Sequence, residues 1–155
     1  MTTSDSGDPQ IIYSLNQTAR NNPPIQATVA STHALSLFFF YDIINCTAYD
    51  TSAEAKGTAA QNSVINNAPS ITPLSSPGII ICEITLATGP FSKSVDPSNQ
   101  ILDSPFYTGS SDGSHLNSGT ANLHLFNANT SPVNFGGQLN NSSSTSWNGI
   151  AVEFH

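Results

Sequence analysis

Hydrophobic positions along this chain fall into short runs and not into helical stripes. Residues 10–15, 25–29, 34–41, 70–72, 78–87, 106–108, 121–127 and 149–154 are enriched in Ile, Val, Phe or Thr, with turn-forming clusters between them. Such spacing predicts the strands of a β-sandwich or barrel. Two runs alternate cleanly. Leu123 and Leu125 share one face, with Asn122, His124 and Phe126 on the other; Ile150, Val152 and Phe154 point one way, with Gly149, Ala151 and Glu153 the other. Residues 37–40 and 79–82 are unbroken apolar runs, the pattern of central strands covered on both faces.

Only residues 51–61 (TSAEAKGTAAQ) resemble a helix, through Ala53, Ala55, Ala59 and Ala60. The segment contains Gly57 and has no bulky apolar residue at helical spacing, so a helix there would have no face to dock. Asn22-Pro23-Pro24, Ser76-Pro77-Gly78, Asp96-Pro97-Ser98 and Ser111-Asp112-Gly113 read as turns, and Gly136-Gly137 as a tight connection or bulge. The tract 140–146 (NNSSSTS) reads as an exposed loop before the last strand. There is no internal repeat and no linker. Residues 1–9 read as a flexible N-terminal arm and 10–155 as one domain.

One order of features carries a resemblance. An apolar run (LSLFFFYDI) is followed by Asp50-Thr51, by Lys56-Gly57-Thr58, by Ala68-Pro69-Ser70-Ile71-Thr72-Pro73 and by the apolar run 78–84. The chain closes with Leu123-His124-Leu125 and Trp147-Asn148-Gly149-Ile150-Ala151-Val152-Glu153-Phe154. This order, over about two-thirds of the chain, resembles the Ser/Thr-rich jelly-roll β-sandwich modules of phage virion proteins and bacterial surface proteins. The resemblance implies a single jelly-roll-like antiparallel β-sandwich with long polar loops, and it assigns no catalytic residues. Those modules carry extra hairpins before the first matched strand, whereas about 33 residues precede Ala34 here. A trimmed sandwich would leave a strand edge for a neighbouring subunit.

Charge narrows the class of partner. Lys and Arg together number 3 against 10 Asp and Glu, a net charge of −7, and only 8% of residues are charged, where an ordinary soluble domain has about a quarter. So few cations cannot neutralise a row of phosphates or hold an anionic bilayer, which argues against nucleic-acid and membrane partners. No apolar run is long enough to span a bilayer as a helix. The first ten residues show neither the basic nor the apolar part of a secretory leader. The apolar content is still sufficient for a folded core.

Residues for chemistry are sparse. The string Gly109-Ser110-Ser111-Asp112-Gly113-Ser114-His115 is the nearest approach to a nucleophilic triad, and it reads better as a polar turn. His33, His115, His124 and His155 have no metal-ligand spacing. Asp96, Asp103 and Asp112 lie in one loop-rich stretch where Ca²⁺ is the alternative to simple solvation. Glu83 ends an apolar run and Glu153 alternates outward on the last strand, so paired carboxylates would require those strands to be neighbours. Trp147, with Phe106 and Tyr107 and abundant Asn, offers the parts of a sugar-stacking site, and His124 a ligand or interface position. Cys46 and Cys82 read as free thiols, with an inter-sheet disulfide as the alternative.

The sequence therefore predicts a protein that works by contact. The expectation is a non-enzymatic structural protein of a bacteriophage or similar virion, a capsid decoration or tail or fibre subunit. It would form a homo-oligomer at the virion surface after assembly in the host cytoplasm, with no cofactor or metal. The alternative is a secreted or surface-exposed carbohydrate-binding module, with glycan contacts at Trp147, Phe106 and Tyr107.

Overall fold

A computed structural model describes residues 11, 13, 15, 41–43, 45–87, 91–107, 119–140 and 143–155, and within these not the side chains of 104–107 and 119. The expected strand at 25–29, the run 37–40 and the arm 1–9 lie outside the described residues. The chain is all-β: ten strands and no helix occur among the described residues.

A five-stranded antiparallel sheet dominates. Its order is β1 (Tyr49–Ala59), β10 (Thr145–Phe154), β4 (Gly78–Leu86), β7 (Gly119–Asn127) and β6 (Ile101–Tyr107). Two small sheets accompany it: β2 (Val64–Ile65), β9 (Gly137–Leu139) and β5 (Phe91–Ser94), then β3 (Ser70–Ile71) with β8 (Val133–Asn134). Sequence runs 78–87, 121–127 and 149–154 become β4, β7 and β10, which sit together in the middle of the large sheet. Ile11, Tyr13, Leu15 and Tyr41 are in no strand, contrary to the expectation for 10–15 and for the end of 34–41.

The inner face of the large sheet supplies one dry core. Ile80, Cys82, Ile84 and Leu86 of β4, Ala121, Leu123 and Leu125 of β7, and Trp147 and Ala151 of β10 pack against Ile65, Ile71, Phe91 and Leu139 from the small sheets and Phe135 between β8 and β9. Close backbone approach holds the layers in place. A Cβ on Gly149 would lie 2.5 Å from the Ala68 carbonyl oxygen, and one on Gly57 would lie 2.8 Å from the Trp147 ring. Gly57 is opposite Trp147 in the β1–β10 register, so the indole fits where a side chain is missing.

The outer face is also covered, in part. Ile79, Ile81, Val152 and Phe154 form a second apolar cluster with Ile11, Leu15, Tyr41, Ile43 and Cys46. Tyr13 stacks on Tyr49 at 5.4 Å and meets Phe154 edge-on at 5.2 Å. The segment 51–61, read as helix-like, is instead most of β1. Its Ala53, Ala55 and Ala59 pack against the inner core, while Ser52, Glu54, Lys56 and Thr58 are exposed. Small residues at every second position suit a pleated edge strand lying close to a second layer.

Candidate interaction face

The outer face of the large sheet changes character from one end to the other. Cross-strand register aligns Phe154, Ile79 and Phe126; then Val152, Ile81 and His124; then Ile150, Glu83 and Asn122; then Asn148, Thr85 and Thr120. The first two rows are mainly apolar and the last two mainly polar.

A bulge brings together a cluster of polar side chains. The β6–β7 register shifts between Leu102 and Ser104, which turns Asp103 toward His124 while Leu102 stays against the inner core. Both carboxylate oxygens of Asp103 lie 2.8 Å from His124 Nδ1, and Tyr41 donates its hydroxyl to Asp103 Oδ2 at 2.6 Å. A carboxylate only accepts, so Nδ1 carries a proton and the ring orientation is fixed. Burial, and then the bond to Asp103, raise the Tyr41 hydroxyl above its ordinary range. The ring of His124 meets Tyr41 and Phe126 edge-on, at 6.4 and 5.5 Å.

Around this rigid polar centre stand exposed apolar side chains. Phe126 is 67% exposed and Ile101, opposite His124 in the register, is 52% exposed. Large apolar groups beside an anchored hydrogen-bonding cluster are the parts of a contact surface, with the polar members giving orientation. In the next row, Glu83 is partly buried, and burial pushes its carboxyl from 4.5 up to about 7. Its cross-strand neighbour Asn122 is buried, with no hydrogen-bond partner for Nδ2.

The other sequence candidates fall elsewhere. β4 and β10 are neighbours, as paired carboxylates would need, but Glu83 is opposite Ile150 and Glu153 is opposite Ile80, so the two acids lie on opposite faces. Glu153 is not outward-facing: it is 0% exposed. Its carboxylate accepts from the Leu74 and Ser75 amides at 2.7 and 3.3 Å and from Asn127 Nδ2 at 3.4 Å. Because both faces of β10 are buried from Ala151 to Phe154, alternation alone could not identify the solvent side. The donors that make burial of this acid tolerable come from a distant loop and from β7, and no local pattern signals them.

Trp147 is 8% exposed, with its ring against Gly57. Its edge, with Thr58, Ser63, Asn66 and Asn67, lines an open groove of about 340 Å³. Phe106 and Tyr107 lie in β6, and their side chains are outside the described residues. Asp96 accepts from Ser98 Oγ at 2.6 Å, Asp103 is engaged as above, and Asp112 lies outside the described residues with His33, His115 and the 109–115 string. His155 Nδ1 is 2.7 Å from Asp50. Among the described residues no three His, Cys, Asp or Glu gather to hold a metal ion. Cys46 and Cys82 are free thiols that belong to the outer and inner clusters respectively.

The bulge at Asp103 and the Tyr41 contact were the parts of this face that sequence reading missed. Residues 101–107 (ILDSPFY) show no alternation, so the sequence carried no signal for either. Comparison with known proteins found no matching family model, no matching curated protein and no matching solved structure.

Proposed function

We propose that this chain is a non-enzymatic structural protein of a virion, a phage capsid decoration or appendage subunit built on a jelly-roll sandwich, and that it acts through protein–protein contacts at the particle surface. The observation that carries the reading is the patch of Phe126 and Ile101, largely exposed, set around the locked Tyr41–Asp103–His124 cluster. A surface almost free of charge suits this use. Uncharged hydroxyl and amide groups that find hydrogen-bond partners on a neighbour cost less to desolvate than charged groups and need no charge matching. The placement of Trp147 against Gly57 supports a packing role for its ring over a sugar-stacking one.

The test is fractionation of particles released from cells that express the chain. The wild type is expected to co-sediment with intact particles on a density gradient, and Phe126→Asp with Ile101→Asp is expected to remain in the soluble fractions. A wild-type chain found only in the soluble fractions would refute the reading.

A further inference from the structure

The two edges of the large sheet are built differently. At β6 the register breaks at Asp103 and Pro105 lacks an amide donor, two devices that discourage another strand from adding there. At β1, the opposite edge, the irregularity lies between Tyr49 and Thr51, and pairing with β10 is regular from Thr51 to Ala59. β1 contains no Pro. Among the described residues its outer backbone edge has no strand beside it. Such an edge is a ready template for an added strand.

We propose that β1 pairs antiparallel with β1 of a second copy of this chain, about a two-fold axis through Ala55, so that two five-stranded sheets become continuous. The charges select this partner and this register. Glu54 and Lys56 flank Ala55 and are both exposed, so the axis sets Glu54 opposite the second copy's Lys56 and Lys56 opposite its Glu54. Ser52 then faces the second copy's Thr58. Sliding by one residue would place outer-face side chains opposite inner-face ones, which the pleat forbids. Sliding to the next in-phase axis, at Glu54 or at Lys56, sets identical charges against each other. Lys56 is one of only 3 basic residues in a chain of net charge −7, and in this register it supplies the local attraction at the seam between two acidic copies. The pairing is independent of the particle reading above, and its test uses purified protein alone.

Sedimentation velocity of the full chain across a concentration series should give a monomer–dimer equilibrium. Glu54→Lys and Lys56→Glu should each weaken association about tenfold, and the double swap E54K/K56E should restore it. Restoration separates charge matching from damage to the fold. In a Cys46→Ser background, Ser52→Cys and Thr58→Cys should not cross-link separately and should form a disulfide dimer when mixed. Four outcomes would each overturn the proposal: a monomer at every concentration, indifference to single reversals, failure of the swap to rescue, or cross-linking of Ser52→Cys with itself.

Discussion

β4 has two faces that both begin with buried isoleucine and then diverge. On the inner side Ile80, Cys82, Ile84 and Leu86 are buried in one closed cluster. On the outer side Ile79 and Ile81 are buried, but the same row of positions continues into Glu83 and Thr85, and on β7 into His124 and the exposed Phe126. The inner face is devoted to cohesion. The outer face divides its residues between cohesion and a polar, partly open surface, and the proposed contact site lies where the two meet.

The sharpest way to break the comparison is to truncate both faces of one strand. Leu123→Ala, at a position that is 0% exposed, should lower unfolding free energy by about 2–5 kcal/mol in denaturant titrations. Phe126→Ala, three residues along β7, should stay within about 0.5 kcal/mol of wild type. Equal losses at the two positions would mean that the faces are not functionally divided.

The next effect depends on pH. Folded Glu83 holds its proton to about 7, where the unfolded carboxyl loses it near 4.5. Between these values the folded chain keeps a proton that the unfolded chain has released, so stability should fall as pH rises through this window and level off above it. The drop is about 3 kcal/mol at most. Glu83→Gln should flatten the curve; an unchanged slope would place its origin elsewhere. The smallest effect concerns the polar anchor. Tyr41→Phe removes one hydrogen bond to a carboxylate and should cost about 1–2 kcal/mol by the same titration.

Legibility in the sequence followed the same division. β4 and β10 announce themselves by β-branched and apolar residues on both faces, and β7 by strict alternation of Leu with polar residues. His124 could be placed opposite Leu123 and Leu125 by alternation alone. β1 was obscured because Ala, Gly, Glu and Lys are poor strand formers by propensity, although its small and polar residues alternate faithfully. What favours the strand is lateral pairing with β10 and the Gly57 recess for Trp147, both non-local. Glu153 was misplaced for a related reason: the amides that receive it come from Leu74 and Ser75, 79 and 78 residues away. A bulge such as that at Asp103 depends on the neighbouring strand as much as on its own residues.

The two thiols turn this layered construction into something a reagent can distinguish. Cys82 is sealed at 0% exposure within the inner cluster, and burial raises its thiol away from the reactive thiolate. Cys46 sits half-buried at the outer margin. Lifting the outer covering would uncover one sulfur while the sheets stay joined, and only separation of the sheets would uncover the other. The order of alkylation would thus follow the order of disassembly.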